Sequence, residues 1–219
     1  MSIEQKIIES TNVDDSTSAA IVGNTVLPAV VGSSKKYSVI YADPAWKYNN
    51  QSPPCLPEKQ PDTCKIEYYY PTMTIQEIKD LKVKEMCEKD CVLFLWATTP
   101  AIQEALEVVK AWGFKYKTMI TWEKENRDCM GYWFRVCTEH LIVAVKGNVK
   151  AFRDMERTCY HEKRGKHSKK PEHFYETIER VTTGNRIELF ARQKREGWDI
   201  WGNELENDVE LETSANNGR

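Results

Sequence analysis

This chain of 219 residues has no long apolar run, no charge excess beyond a formal net −2, and no Cys-x-x-Cys pair among its seven cysteines. Each absence excludes something. A membrane-crossing helix needs about 20 consecutive apolar residues, and no stretch here supplies them. The amino terminus lacks the basic start and apolar block of a signal peptide, so a cytoplasmic protein is expected. Near-neutral charge gives no global sign of a nucleic-acid partner. Cys55, Cys64, Cys87, Cys91, Cys129, Cys137 and Cys159 are odd in number and unpaired in spacing, which fits a reduced compartment rather than a disulfide framework. Cys159, His161 and His167 match no closed zinc spacing and have no evident fourth ligand, so no metal is expected. His140 and His173 read as structural or solvated positions.

A hydrophobic content of 41% is enough to bury one sizeable core. Strand-like runs rich in β-branched and aromatic residues occur at Tyr37–Tyr41, Cys91–Trp96, Lys115–Trp122, His140–Val145, Arg186–Phe190 and Trp198–Trp201. Helical patterns lie between them at Thr74–Lys82, Pro100–Trp112 and Pro171–Val181. Thr74 and Glu77 have capping-box spacing. Ile102, Ala105, Leu106, Val109 and the Ala111–Trp112 pair recur at helical spacing and would bury one face on a sheet. Strands with little alternation, separated by helices, predict an α/β fold with a mostly parallel sheet. Residues 1–36 read as a partly ordered lead-in, 37–204 as one domain, and 205–219 as an acidic mobile tail.

The segment that carries chemistry is Asp43-Pro44-Ala45-Trp46, directly after the first strand run. Ligands of open α/β sheets bind where strands end, so a carboxylate, a carbonyl on a proline-stiffened turn and a large ring are presented together to a crevice. That set suits a planar base with an exocyclic amine. The Asp43 carboxylate and the Pro44 carbonyl can each accept an N–H, and Trp46 offers a stacking or packing surface.

This segment resembles the catalytic motif of the MT-A70 family of S-adenosylmethionine-dependent adenine N6-methyltransferases, usually Asp-Pro-Pro-Trp. Eight further stretches resemble bacterial and phage members in the same order. They are Tyr70–Met73, Phe94–Thr98, Ala111–Phe114, Gly131–Trp133, Glu139–His140, His167–Glu172, Glu188–Arg192 and Gly197–Glu204, so the resemblance runs from about Tyr37 to Glu204.

The resemblance implies a Rossmann-like fold with helices on both faces, a circularly permuted motif order and a degenerate glycine motif. The implied cofactor is S-adenosyl-L-methionine. Asp43 is shared between catalysis and the cofactor site, Lys170 matches the lysine near the cofactor carboxylate, Glu188 and Arg192 the ribose region, and Asn203 with Glu204 the adenine contacts. Glu139 matches an acidic residue near the target base, with a structural hydrogen bond as the alternative. Ala45 replaces the second proline and would loosen the turn. An acidic residue that some relatives place before the catalytic strand has no match among Asn24–Ser34. The implied substrate is adenine in DNA. RNA is the alternative, as is a catalytically silent partner subunit, and homodimer and heterodimer both stay open. The setting implied is a bacterial or phage-infected cell.

Two long segments complete the reading. Asn49–Glu67 holds Pro53, Pro54, Pro57 and Pro61 and reads as a loop. Gly147–Lys169 reads as a second loop, and with Lys146 and Lys170 it concentrates Lys150, Arg153, Arg157, Lys163, Arg164, Lys166 and Lys169. In the fold that the resemblance implies, both flank the same sheet edge, so they are expected to form the lips of one cleft, the basic one holding phosphates. Arg164 and Lys166 are the candidate phosphate contacts. Tyr48 and Tyr70 are candidate base contacts, with packing as the ordinary alternative for each of them and for Tyr68 and Tyr69.

Overall fold

The run from Tyr37 forms a central strand, because both of its faces are apolar and both are covered. A computed structural model describes residues 35–47, 72–125, 133–153, 156–163, 165 and 169–211. The elements are β1 (Tyr37–Ala42), α1 (Ile75–Asp80), α2 (Val83–Met86), β2 (Cys87–Thr98), a 3-10 turn (Thr99–Ala101), α3 (Ile102–Ala111), β3 (Lys115–Glu125), β4 (Thr138–Lys146), β5 (Cys159–Lys163), α4 (Glu172–Val181), β6 (Arg186–Leu189) and β7 (Trp198–Trp201).

The seven strands form one sheet in the order β5-β3-β4-β2-β1-β6-β7. All neighbours are parallel except the two pairings of β4. β1 lies between β2 and the late strand β6, which is the permuted arrangement the motif order implies. The fold is a Rossmann-like α/β sheet.

On one face Ile40, Leu93, Leu95, Ile142, Ile187 and Leu189 pack against Ile78, Ala105, Val108, Val109 and Trp112 from α1 and α3 or just beyond. On the other, Val39, Tyr41, Val92, Phe94, Trp96 and Val143 pack against Phe174, Tyr175 and Ile178 of α4. Burial on both faces removes any need for polar alternation, which is why β1 and β2 read as continuous apolar runs. α1 starts on the expected capping box: Glu77 N–H donates to Thr74 Oγ1 at 3.2 Å, and Thr74 N–H to the Glu77 carboxylate at 2.7 Å. α3 stops at Gly113, whose φ of +80° and the Phe114 N–H to Val109 carbonyl bond of 3.0 Å make a glycine C-cap.

Three expectations are corrected and one element is added. Leu106 is 39% exposed, because the buried stripe of α3 is centred on Ala105, Val108 and Val109. α2 is a single turn that periodicity does not reveal. Gly147–Lys169 is not one loop: its residues Cys159–Lys163 form β5, an edge strand whose polar, largely exposed side chains leave no apolar signature. The start of the expected mobile tail is fastened to β7. Asp208 N–H donates to the Ile200 carbonyl and Ile200 N–H to the Asp208 carboxylate, both at 3.0 Å, and Val209 is buried. The lead-in up to residue 34 and the tail from residue 212 lie outside the described residues.

Candidate active site

β1, β2, β6 and β7 run in one direction, so their carboxyl ends share one edge, and Asp43 stands on it in the middle. Its backbone N–H extends the β6 pairing to the Leu189 carbonyl at 3.4 Å. The turn that follows is clamped. Trp46 N–H donates to the Pro44 carbonyl at 2.9 Å, Met73 N–H to the Ala45 carbonyl at 3.2 Å, and Lys47 N–H to the Met73 carbonyl at 3.3 Å. Ala45 therefore leaves the turn fastened through its carbonyl without the second proline.

Of the two surfaces expected of Trp46, stacking or packing, the structure gives packing. Its ring is 3% exposed within the core under the sheet, and its indole N–H donates to the Trp96 carbonyl at 3.1 Å. Trp46 anchors the turn. The Pro44 carbonyl already carries one bond, which leaves its second lone pair for a ligand.

From Asp43 a line of alternating charges crosses the sheet edge. Lys170 Nζ lies 2.6 Å from Asp43 Oδ2 and 3.3 Å from Glu139 Oε2, and Lys124 Nζ lies 2.5 Å from Glu139 Oε1. Lys170 sits 5.1 Å above the Trp96 ring and Lys124 5.5 Å above the Trp122 ring. Burial disfavours the charged form of Lys170, but Asp43 and Glu139 outweigh it and hold the ammonium above its ordinary range. Burial likewise opposes ionisation of Glu139, yet Lys170 and Lys124 together bring its carboxyl below the usual value. Sequence reasoning missed Lys124. Its only signal is its place in Trp122-Glu123-Lys124, two residues past a buried aromatic at a strand end.

On the other side of Asp43 lies Glu188, paired to Tyr41 across the β1–β6 ladder. Its Oε1 accepts from Tyr175 Oη at 2.9 Å, while its Oε2 is buried and has no hydrogen-bond partner among the described residues. Burial is the main cause that pushes this carboxyl up to about 7, with Asp43 adding to it against the Tyr175 bond. Tyr175 was a further residue not legible in advance.

The strand gives way to Phe190, whose φ of +65° is a left-handed conformation that strains a bulky residue. Its ring rests edge-on against Trp201, 5.4 Å between centroids. Gly202 comes so close to this turn that a Cβ would stand 2.4 Å from the Ala191 carbonyl oxygen. The close packing draws together the turns after β6 and β7, which bear Arg192, Asn203 and Glu204. Arg192 Nε lies 3.9 Å from Glu204 Oε1, and Asn203 is exposed.

The basic stretch does not form one lip. Lys146 pairs across the ladder with Cys91, whereas Glu139 pairs with Thr98. Seven residue steps of strand, about 23 Å at ~3.3 Å each, separate the two ends. Lys150 and Arg153 therefore belong to the opposite edge, where they line a cavity of about 500 Å³ with Ser38, Asp90, Phe152 and Arg180. Lys163 closes β5 opposite Glu125, at the Asp43 edge. Lys146 donates to the carbonyls of Lys84 and Glu88, and Lys170 is held in the charge line. Tyr48, Tyr70, Arg164 and Lys166 lie outside the described residues. His140 is tied to Thr121 and Thr99 through its two ring nitrogens, at 3.1 and 3.2 Å.

A family model, MT-A70, matches residues 37–204, the span from β1 to the turn beyond β7. The chain belongs to the MT-A70 family. Among similar proteins, Type II methyltransferase M.MunI of Mycoplasma sp is 33% identical over 203 residues, 83% of each chain. The N(6)-adenosine-methyltransferase catalytic subunit METTL3 of Homo sapiens is 30% identical over 184 residues, 78% of this chain and 28% of that protein. N(6)-adenosine-methyltransferase MT-A70-like of Arabidopsis thaliana is 29% identical over 77% of this chain and 24% of its own length. The chain thus spans about a quarter of these eukaryotic relatives and most of M.MunI. Among the described residues no helix is long and apolar enough to cross a membrane.

Proposed function

We propose that this MT-A70 protein transfers a methyl group from S-adenosylmethionine to the N6 amine of adenine in DNA, with residues 37–204 as the catalytic domain. The observation that carries the reading is Asp43: a carboxylate fixed by a clamped turn at the sheet edge, between Lys170 on one side and Glu188 on the other.

The residues fit the cofactor. The buried Glu188 Oε2, unpartnered among the described residues, is an acceptor suited to a ribose hydroxyl, and Lys170 is a cation suited to the methionine carboxylate. Arg192, Asn203 and Glu204, on the turns after β6 and β7, would complete the ribose and adenine contacts. When bound, the cofactor supplies a methyl group already activated on a sulfonium.

Asp43 and the second lone pair of the Pro44 carbonyl then accept the two N–H bonds of the adenine amine. That arrangement draws the nitrogen lone pair out of the ring and stabilises the positive charge that develops on nitrogen during transfer. The clamp on residues 43–47 matters because reacting atoms must be held about 3–3.5 Å apart, and a mobile carboxylate would lose that advantage. Lys163 at the same edge would meet the phosphate backbone, with Arg164 and Lys166 following it in sequence.

DNA is favoured over RNA by extent of match. The Type II methyltransferase is matched over most of its length, and the adenosine methyltransferases over one segment of theirs. The intact Asp43, Lys170 and Asn203 favour an enzyme over a silent partner subunit. Action on DNA in a bacterial or phage-infected cell would take place in the cytoplasm. The test is to digest nucleic acid from cells expressing the protein and measure N6-methyladenine in DNA and RNA separately. A rise confined to DNA is expected; a rise confined to RNA would overturn the substrate, and none in either would overturn the activity.

A further inference from the structure

Glu139 lies between two lysines and can satisfy only one of them with each oxygen. Lys124 takes Oε1 at 2.5 Å, leaving Oε2 to face Lys170 at the longer distance of 3.3 Å, while Lys170 approaches Asp43 to 2.6 Å. Both lysine side chains are 9% exposed and Glu139 16% exposed, so water offers little screening or substitution along this line. The two cations are also seated on two tryptophans that touch each other, Trp96 and Trp122, with 6.2 Å between ring centroids and an edge-on angle of 75°. Backbone register fixes the middle of the line, since Glu139 is paired with Thr98 on one side and Trp122 on the other. Lys124 N–H is itself held by the Cys137 carbonyl at 2.8 Å.

We propose that Lys124 is a positioning residue for methyl transfer: by occupying one oxygen of Glu139 it keeps Lys170 at Asp43, where the cofactor carboxylate is to be met. The proposal rests on the methyltransferase reading above. Remove Lys124 and Glu139 becomes an under-compensated buried carboxylate with both oxygens turned to one cation. Lys170 is then drawn toward Glu139 and away from Asp43, and the excess negative charge repels an incoming carboxylate. Both effects weaken cofactor binding. Neither requires Lys124 to touch cofactor or substrate.

The experiment compares Lys124→Ala, Lys124→Arg, Glu139→Gln and the double variant Lys124→Ala/Glu139→Gln in the full chain. Thermal melting, calorimetry with S-adenosylmethionine, and methylation of adenine-containing DNA are measured for each. Lys124→Ala is expected to lose at least tenfold in cofactor affinity, with KM for the cofactor rising by a similar factor and kcat changing less. Lys124→Arg should restore affinity to within about threefold of wild type, because it keeps a cation on Glu139. The decisive arm is the double variant: with the stranded carboxylate neutralised, its cofactor Kd should match that of Glu139→Gln alone within about threefold.

A merely structural lysine would lower the melting temperature and leave the cofactor Kd of the folded protein unchanged, and that result overturns the proposal. So does a double variant at least tenfold weaker than Glu139→Gln. Should Lys124→Ala not fold, Lys124→Gln takes its place, because a double variant equal to Glu139→Gln supports the proposal only beside a single variant that has lost cofactor affinity. Wild-type protein that neither binds cofactor nor methylates would sink the methyltransferase reading itself, an outcome separate from failure of the Lys124 role in an active enzyme.

Discussion

Lys170 Nζ donates to Asp43 Oδ2 at 2.6 Å, so the cation proposed to hold the cofactor carboxylate and the anion proposed to accept the substrate amine are each other's partner. The pair fixes the orientation of Asp43 and leaves its other oxygen for a donor. Lys170 also faces Glu139, at 3.3 Å, so the cation keeps a counter-charge when Asp43 loses its own.

Asp43→Asn is therefore expected to separate chemistry from binding. The amide keeps the shape and removes the charge that stabilises the developing cation, so methylation should fall by at least about 10²-fold, the scale of a lost electrostatic contact to a transition state. Cofactor affinity should stay within about tenfold, or 1.4 kcal/mol, because Glu139 still compensates Lys170. N6-methyladenine counting and calorimetry read the two effects. Full activity in the Asn variant would remove the Asp43 charge from the mechanism.

Glu188 supplies a pH dependence. Its folded carboxyl is pushed up from 4.5 to about 7, so the protonated form is the one the fold prefers. The corresponding stability is fully present below about pH 4.5 and is lost as pH rises through 7, a difference on the order of 3 kcal/mol for a buried group. Melting temperatures of wild type should fall relative to Glu188→Gln between pH 5 and 7.5, whatever fixed offset the substitution brings. A donor such as a ribose hydroxyl favours the ionised carboxylate, so cofactor binding near pH 6 should release protons in wild type and not in the Gln variant. Equal slopes for the two proteins would show that Glu188 is ionised normally.

Much of this was legible in the chain because the signals are local. The capping box at Thr74 and Glu77, the apolar strands around Ile40 and Leu93, and the Asp-Pro dipeptide each announce themselves within a few residues. What was not legible depends on distant partners. Lys124 matters only because β3 and β4 pair Trp122 with Glu139, and Tyr175 only because α4 lies over β6. β5 carries no hydrophobic pattern since it is an edge strand. The basic stretch looked continuous in sequence, yet β4 carries one end of it to the far edge of the sheet. Stacking and packing both stayed open for Trp46 because an aromatic beside the Asp43 carboxylate gives the same one-dimensional signal whether its ring points outward or into the core.

The division of the basic stretch can be tested by salt dependence. If phosphates pass the Asp43 edge, Lys163→Ala should reduce the slope of log affinity against log salt by about 0.7–0.9 for its lost contact. Lys150→Ala and Arg153→Ala, at the opposite edge, should leave the slope within error and methylation unchanged. Binding titrations with an adenine-containing duplex at several salt concentrations provide the comparison. A larger change from Lys150 or Arg153 than from Lys163 would move the nucleic-acid path to the other end of the sheet.

Trp46→Phe discriminates between a ring that stacks on substrate and a ring that holds the turn. Phenylalanine stacks nearly as well, so a base-stacking role predicts little loss. An anchoring role predicts more, because phenylalanine cannot give the N–H that the Trp96 carbonyl accepts at 3.1 Å, and it underfills a site where the indole is 3% exposed. A buried carbonyl deprived of that donor, together with the smaller side chain, should cost about 1–3 kcal/mol of stability. The turn through Pro44 and Ala45 loses one of its fastenings, so kcat should drop several-fold while nucleic-acid affinity is unchanged, since the ring is buried in the core. Chemical denaturation, duplex binding and single-turnover methylation together give the answer. Weakened duplex binding with normal stability would place the Trp46 ring in the substrate cleft after all.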